Sequence, residues 1–296
     1  MEAGKTRLHC IGARSLVYSD IRPLLAQRFD LSDDDTPLLP SLVSYQKRSK
    51  TPYLIRLNQP QKDWKLPEAD FFVIWASQTD PKICHSKPLE TYLINVIKTK
   101  ELIDLISKKG GRVIYPSTNL VFPGDKPFYK CNSKVNPKGE YGRQKSEVEN
   151  YIMNEHKYSG HIILRMTKVW SPRAKFYLRW ERERANRIPL KISRNRLLSP
   201  LTPEGISRAL NFITHRIMSN RSEIVNISGN FSISSIALAR EIYKIRNIND
   251  ISFDLIDEPT TSKTGLIHNS LKNCLPDWDE FSENFFHKTL ELTLPS

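Results

Sequence analysis

Four side chains in the middle of the chain have the types and the spacing for proton transfer. Ser117 and Thr118 are adjacent hydroxyls that follow the apolar run at 113–115, and Tyr141 and Lys145 lie four residues apart further along. Four residues are about one helical turn, so a helix here would place the phenol and the ammonium on one face. A nearby positive charge favours phenolate, so Lys145 is expected to lower the pKa of Tyr141.

The surrounding sequence alternates strand patterns with helix patterns, which predicts the scaffold of this site. Apolar runs at 6–12, 70–76 and 113–115 have the character of buried strands, and amphipathic stretches with helical periodicity lie between them. Such alternation predicts an α/β fold with a doubly wound, mainly parallel sheet that is covered by helices on both faces. Ligands bind such sheets at the carboxyl ends of the strands, where Ser117 and Thr118 lie.

The N-terminal strand, turn and helix have the order of a dinucleotide-binding unit, in which a pyrophosphate rests on the helix N-terminus. Gly12 occupies the first position of a G-x-x-G-x-x-G pattern, but Ser15 and Tyr18 stand at the second and third glycine positions. Ser15 still allows a ligand to approach closely, whereas Tyr18 stands where the helix should pack tightly on a strand. The glycine pattern is therefore a weak indication of a nucleotide site.

A second strand is predicted at 42–45, and a polar stretch at 30–40 separates it from the preceding helix. This strand would end in the basic pair Lys47 and Arg48. A basic residue at the end of the second strand can accept a ribose 2′-phosphate, which an acidic residue there would repel. Arg48 is therefore a candidate cofactor contact that slightly favours NADP over NAD, although solvated charges at a strand end explain the pair equally well.

Composition excludes several classes of protein. The chain has 296 residues, of which 39% are hydrophobic and 26% charged, as in a soluble protein of one large domain or two modest ones. No apolar run approaches the roughly 20 residues of a membrane span, and no signal-peptide pattern is present, so we expect a cytoplasmic protein. The four cysteines and seven histidines have no ligand spacing, so we expect reduced thiols and no catalytic metal.

The net charge of +13 and the sequence pI near 9.5 indicate an anionic partner. Such a balance suits nucleic acid, an anionic surface or a phosphate-bearing small ligand in a basic cleft. No known nucleic-acid-binding motif accompanies the charge, so a small ligand is the favoured interpretation.

Several motifs, in the same order from about residue 70 to the end, resemble the extended short-chain dehydrogenase/reductase family. They are L-I-N-V-I-K-T at 93–99, S-T-x-x-V-F-x-G at 117–124, Y-G-x-x-K at 141–145, I-L-R at 163–165, I-V-N-I-S-G-N-F-S-I-S-S-I-A-L at 224–238 and L-P-D-W at 275–278. The chain is most similar to the dTDP-4-dehydrorhamnose reductase branch, which modifies nucleotide-linked sugars.

The resemblance implies an NAD(P)-dependent reductase that acts on a nucleotide-linked 4-keto sugar. Tyr141 would be the general acid, and Lys145 would lower its pKa and bind the nicotinamide ribose. Thr118, with Ser117 as the neighbouring candidate, would hold the substrate oxygen. Further cofactor contacts are implied at Gly12, Ser15, Ala76 and Asn95. Substrate contacts are implied at Asn119, Arg173, Arg179 and Arg187, the three arginines being candidates for the diphosphate.

The resemblance also implies a division of the chain. Residues 1–165 would form a Rossmann-like dinucleotide-binding domain, to which 201–230 return. Residues 166–200 and 231–296 would form a smaller C-terminal α/β region that binds the substrate.

Other interpretations stay open at this point. An epimerase or a dehydratase that acts on nucleotide sugars uses the same fold, and the degenerate glycine pattern also suits a non-catalytic ligand-binding or regulatory subunit. Tyr141 and Lys145 are otherwise a half-buried tyrosine beside a solvated lysine, Ser117 and Thr118 cap a turn, and the arginines lie on an exposed amphipathic helix. Asn95 is either an anchor for loops or a surface residue, and a homodimer is left open.

Overall fold

The computed structural model describes residues 5–34, 55, 57, 61, 64–216, 219–257, 267, 269–271 and 279–294. The strands are β1 (Arg7–Ile11), β2 (Asp30–Asp34), β3 (Phe71–Ile74), β4 (Arg112–Thr118), β5 (Ile162–Met166), β6 (Leu190–Ser193), β7 (Leu197–Leu198), β8 (Glu223–Ile227), β9 (Ile233–Ser234) and β10 (Phe253–Ile256). The helices are α1 (Leu16–Arg28), α2 (Pro81–Ser86), α3 (Pro88–Tyr92), α4 (Thr99–Lys108), α5 (Glu140–Glu155), α6 (Lys175–Ala185), α7 (Pro203–Arg216), α8 (Ser235–Ile245) and α9 (Glu283–Thr293). A π-helical segment, Leu93–Lys98, joins α3 to α4, and 3-10 turns lie at Asn119–Val121 and Asp279–Phe281. None of the helices in these residues is both long and apolar enough to cross a membrane.

Six strands form a central parallel sheet in the order β2-β1-β3-β4-β5-β8. Helices α1 and α7 pack on one face, and α4 and α5 pack on the other. Along β3, Phe71 and Val73 belong to the first core, whereas Phe72 and Ile74 belong to the second. Burial on both faces explains the continuous apolar run of this strand. The predicted α/β class with a doubly wound parallel sheet is confirmed.

The order of the strands reverses at β1, which lies between β2 and β3. In such sheets the crevice at the carboxyl ends of the strands beside the reversal point binds ligands. Gly12 leaves β1 here with a φ of +96°, and a Cβ atom built on it would lie 2.4 Å from the backbone nitrogen of Ala76. A glycine is therefore required both for the backbone conformation and for the contact between the ends of β1 and β3.

The prediction for the second strand was wrong in part. The polar stretch at 30–40 contains β2, while the predicted strand at 42–45 and Arg48 lie outside the described residues. β2 is an edge strand in which only Asp34 is buried, so it has no apolar pattern to recognise. Its side chains have specific partners, since Asp33 accepts hydrogen bonds from Tyr18 and Arg22. Because this strand ends in Asp33 and Asp34, the argument for NADP loses its basis.

The C-terminal part contributes to the central sheet and also forms a separate core. β8 joins the edge of the sheet beside β5, and α7 packs against α1. β6 pairs with β10, and β7 pairs with β9. A third hydrophobic core lies among α6, α8 and α9 and includes Trp170, Tyr177, Trp180, Tyr243 and Phe286. The predicted division of the chain into two domains stays a prediction.

Two buried histidines, His9 and His161, lead us to expect that the free energy of unfolding falls in acid. Burial lowers the pKa of His9 and of His161 from the ordinary 6.5 to about 4. Between these values the unfolded chain binds more protons, so stability is complete above about pH 6.5 and falls as the pH drops towards 4. We expect the free energy of unfolding in urea to fall by roughly 2 kcal/mol per histidine between about pH 7.5 and about pH 5.

Single substitutions separate this effect from general acid denaturation. His161→Asn should reduce the pH dependence by the contribution of one histidine, whereas His85→Asn, at an exposed position, should leave it unchanged. Equal pH dependence in the wild type and in His161→Asn would contradict the assignment.

Candidate active site

Helix α5 places the predicted phenol and ammonium on its buried face. Tyr141 and Lys145 are 8% and 3% exposed. The Lys145 ammonium donates a hydrogen bond of 2.8 Å to the carbonyl oxygen of Pro116 on β4. It lies 4.4 Å from the ring centroid of Tyr115 and 5.9 Å from that of Tyr141. Both predicted residues therefore face the end of β4, as their spacing indicated.

Gly142 sets how closely α5 approaches the turn after β4. A Cβ atom on Gly142 would lie 2.3 Å from the carbonyl oxygen of Leu120, in the 3-10 turn that follows Thr118. The absence of a side chain therefore brings the helix with Tyr141 against the turn that carries Thr118. Gly142 is part of the Y-G-x-x-K motif, but its role depends on a contact that spacing alone does not reveal.

The adjacent hydroxyls have different surroundings. Thr118 Oγ1 accepts a hydrogen bond of 3.2 Å from the Leu120 nitrogen and caps the 3-10 turn that Asn119 begins. Ser117 donates a hydrogen bond to the carboxylate of Glu149, which lies on the buried face of α5. The structure thus places Thr118 at the turn against α5 and ties Ser117 into an internal hydrogen-bond network.

Burial dominates the electrostatics of the site. Burial raises the pKa of Tyr141 above its ordinary value, with a smaller contribution from Cys84. The expected lowering by Lys145 is therefore wrong for this structure. Burial also lowers the pKa of Lys145 to about 7, opposed chiefly by the negative charge of Glu149. Tyr141 keeps its proton at neutral pH, so its phenol is a proton donor rather than a ready base.

Asn95 braces the site from within the π-helical segment and is 1% exposed. Its carbonyl oxygen accepts hydrogen bonds from Ser77 Oγ at 2.9 Å and from the Gln78 nitrogen at 2.8 Å. Its amide nitrogen donates to the Gln78 carbonyl at 2.9 Å and to Gln144 Oε1 at 2.8 Å. Asn95 thus joins the segment after β3 to α5, which favours the anchor over the surface residue.

Gln78 is a candidate ligand contact that the sequence did not single out. Its side-chain oxygen accepts a hydrogen bond of 3.1 Å from the Asp80 nitrogen, and its buried Nε2 has no hydrogen-bond partner among the described residues. Flipping the amide would turn a donor towards the Asp80 N–H, so the network fixes Nε2 as the free donor. The residue follows Ala76 by two positions, at the carboxyl end of β3.

These donors provide a test of whether a nicotinamide nucleotide fits. The free Nε2 of Gln78 and the buried three-donor ammonium of Lys145 both need acceptor oxygens, and ribose hydroxyls and phosphates supply them. Ser15 caps α1, whose N-terminus follows the turn at Gly12. Tyr18, at the third glycine position, is buried and directs its hydroxyl to Asp33 at 2.7 Å. The residues present therefore fit a dinucleotide.

The three arginines proposed for a diphosphate have separate surroundings. Arg173 donates to Ser19 and forms an ion pair with Asp20 on α1. Arg179 donates a hydrogen bond of 2.8 Å to a backbone carbonyl on β6. Arg187 is exposed just beyond α6, with a φ of +56°. No bond within the described residues joins any of the three to the Tyr141 site.

A different lysine lies closer to the predicted chemistry. Lys168 follows β5 by two residues, and the last residue of β5, Met166, pairs in register with Thr118. The Lys168 residue is exposed, and its ammonium lies 4.9 Å from the ring centroid of Phe176. Burial lowers the pKa of Lys168 to about 8, and the nearby cations reinforce the shift. These cations are Arg196, Arg179 and Lys175.

A separate cavity lies at the opposite edge of the sheet. It has a volume of about 820 Å³ and is lined by residues at the amino ends of β1, β3 and β4. Arg7 in its wall pairs with Asp70 and Glu68. It contains none of the predicted site residues, so we assign the chemistry to the carboxyl ends of the strands.

Comparisons with known proteins confirm the family that the sequence motifs resemble. The sequence profile of the RmlD substrate binding domain matches residues 62–264. A dTDP-4-dehydrorhamnose reductase of Sinorhizobium fredii is 27% identical over 233 residues, which are 71% of this chain and 77% of that protein. Methionine adenosyltransferase 2 subunit beta of Xenopus tropicalis is 33% identical over 95 residues, which are 32% of this chain and 28% of that protein.

Solved structures share the fold over nearly the whole chain. A dTDP-4-dehydrorhamnose reductase from Bacillus anthracis in complex with NADP has a TM-score of 0.76 and 18% identity, over 99% of each chain. A UDP-N-acetylglucosamine 4-epimerase from Methanobrevibacter ruminantium in complex with UDP-N-acetylmuramic acid has a TM-score of 0.77 and 18% identity, over 99% of this chain and 98% of that one. At this level of identity the similarity shows the fold alone.

The close contact at Gly142 predicts a specific defect. Gly142→Ala favours the helix by about 1 kcal/mol through propensity, but the new methyl group clashes with the Leu120 carbonyl, so we expect a net loss of 1–3 kcal/mol, roughly that of an overpacked core. Urea unfolding would measure the loss. Gly139→Ala is the matched control, since nothing lies within 4 Å of its Cβ position. A Gly142→Ala variant as stable as the wild type would contradict the close packing.

Proposed function

The chain belongs to the RmlD substrate binding domain family, and we propose that it is an NAD(P)-dependent reductase acting on a nucleotide-linked 4-keto sugar. The observation that carries the proposal is the joint burial of Tyr141 and Lys145 against the end of β4, beside the turn that Thr118 caps. The similarity to a dTDP-4-dehydrorhamnose reductase over most of both chains supports it.

Proton transfer in the proposed reaction falls to Tyr141. Its phenol keeps its proton because burial raises its pKa, so it can protonate a carbonyl oxygen as that oxygen gains negative charge. The Thr118 hydroxyl would hold the same oxygen. The buried cation of Lys145 would stabilise the negative charge that develops on the phenol oxygen. A nicotinamide cofactor, when bound, supplies the hydride.

Epimerases and dehydratases on this fold begin by oxidising the substrate, a step in which the tyrosine would take a hydroxyl proton instead of giving one. A raised pKa makes the Tyr141 phenol a weaker acid and its phenolate a stronger base, so this shift does not choose between the two directions. The similarity to a dTDP-4-dehydrorhamnose reductase over 71% of this chain favours the reductase.

Residues at the carboxyl ends of β1, β3 and β4 would hold the cofactor. The turn at Gly12 and the start of α1 at Ser15 suit a pyrophosphate, and Ala76 lies against that turn. Gln78 and Lys145 would donate hydrogen bonds to oxygens at the nicotinamide end. The acidic end of β2 gives no reason to prefer NADP, so either cofactor is proposed.

The cations around Lys168 support a substrate that carries phosphate. Lys168 follows the end of β5 and is close enough to Arg196 and Arg179 for their charges to lower its pKa, and we call these three residues the cationic wall. Lysine and arginine bind phosphate oxygens well, and a diphosphate would relieve their mutual repulsion. A nucleoside diphosphate sugar is therefore the proposed substrate class, with its sugar towards Thr118 and Tyr141.

A second candidate function is a ligand-binding subunit without catalysis. The local similarity to methionine adenosyltransferase 2 subunit beta favours it, as does the tyrosine at the third glycine position. Such a subunit would keep the fold and the nucleotide site without depending on a proton donor.

Substitution of the phenol separates the two functions. Tyr141→Phe should reduce the turnover of dTDP-4-dehydrorhamnose with NADPH or NADH by about 10²–10⁴-fold, the usual contribution of a general acid, with cofactor affinity unchanged. NADPH absorbance measures turnover, and its fluorescence measures binding. Tyr158→Phe, at an exposed position, is the control. Cofactor binding without turnover in the wild type would favour the binding subunit, and no cofactor binding would reject the reductase.

The cationic wall predicts how nucleotides bind. Lys168→Ala should weaken the binding of dTDP by about tenfold, corresponding to about 1.4 kcal/mol, and should reduce the salt dependence of binding. Isothermal titration at two salt concentrations measures both. Lys157→Ala, at an exposed position on another surface, should bind as the wild type does. Equal affinities for all three proteins would reject this wall as the phosphate site.

A further inference from the structure

A buried ion pair lies one helical turn beyond Lys145. The side chains of Glu149 on α5 and Arg165 on β5 are 3% and 2% exposed. Arg165 contacts both carboxylate oxygens, with its Nε 3.0 and 3.1 Å from them and its Nη2 2.6 Å from the second. It also donates a hydrogen bond of 3.0 Å to the Cys131 carbonyl. A charge pair this enclosed is costly unless its hydrogen bonds are complete.

The pair belongs to the same layer as the catalytic residues. Tyr141, Lys145 and Glu149 follow one another at four-residue spacing and therefore share a face of α5. On β4, Tyr115 contacts Lys145 and Ser117 donates to Glu149, two residues further along the same face of the strand. The Glu149 carboxylate and the Lys145 ammonium thus lie one helical turn apart on the same buried face of α5.

Among the described residues, few titratable groups face Lys145 in this layer. Tyr141 and Glu149 face it from α5, Tyr115 from β4 and Cys84 from α2. Among these groups Glu149 contributes most to keeping the lysine protonated. Arg165 lies behind Glu149 on β5 and offsets part of its negative charge.

We propose that Glu149 is a positioning residue that keeps Lys145 in its charged form, and that Arg165 fixes the position of its carboxylate and moderates its effect. The role of the charged lysine in turnover rests on the proposed function. The electrostatic coupling itself depends only on the contacts of this chain.

The coupling has a test in which the two partners act in opposite directions. Removing the negative charge in Glu149→Gln should lower the pKa of Lys145 below its value of about 7, by about one unit. Removing the positive charge in Arg165→Met should raise it, because Glu149 then acts without its counter-charge. A merely structural role would not give shifts of opposite sign. The measurement is a pH titration of the lysine Nζ resonances in ¹⁵N-lysine-labelled full-length protein, with Lys145→Met identifying the signal.

Two further variants complete the comparison. Glu149→Asp keeps the charge and should keep the pKa of Lys145 close to that of the wild type. Glu155→Gln removes an exposed carboxylate from the same helix and should have no effect. If Glu149→Gln does not fold, the rise in Arg165→Met and the retained value in Glu149→Asp still test the coupling. Shifts of the same sign in the two charge-removing variants, or no shift in either, would overturn the proposal.

Activity gives a second readout that separates this inference from the proposed function. If charged Lys145 is needed for turnover, kcat/KM falls as the pH rises through its pKa, and Glu149→Gln moves that alkaline limb to lower pH. A titration with the expected shifts in a protein without reductase activity would support the coupling and reject the reductase. Expected activity with an unshifted titration would do the reverse.

Discussion

The packing of α5 against the end of β4 is the contact on which the rest of the site depends. Gly142 lets the helix meet the Leu120 carbonyl, and Lys145 donates across the same interface to Pro116. These contacts exclude water from Tyr141 and Lys145, and the exclusion shifts their pKa values in opposite directions. The neutral phenol of Tyr141 and the weakly held proton of Lys145 are both consequences of this one close approach.

Buried amide groups extend this contact to the neighbouring strand. Asn95 in the π-helical segment bonds to the backbone of Gln78 after β3 and to Gln144 on α5. A widened helical turn is a common feature of functional sites, and here it contains the amide that links two elements of the crevice. The ends of β3 and β4 are therefore held relative to each other by hydrogen bonds within the protein, which preorganises the site.

Local sequence patterns were enough to predict the fold class and those candidate site residues that lie close together in the sequence. Any helix over this segment places Tyr141 and Lys145 on one face, because they lie four residues apart. The apolar run before Ser117 is typical of a buried strand, so its structure could also be predicted from local sequence. The direction of the pKa shift at Tyr141 was wrong because spacing shows a neighbouring charge but does not show desolvation. β2 was missed because an edge strand with polar partners has no apolar periodicity. Gln78, Glu149 and Arg165 depend on contacts between distant segments, although the spacing of Glu149 from Lys145 was a visible signal.

The hydrogen bond from Lys145 to Pro116 has a consequence for how this site can change during evolution. Its acceptor is a backbone carbonyl, which every amino acid possesses, and the pairing of β3 with β4 ends two residues earlier, at Ile114. No substitution at position 116 removes the acceptor atom itself. The hydrogen bond that holds the Lys145 amine therefore persists as long as the strand keeps its backbone path. The side chains around the amine can change and adapt it to different ligands.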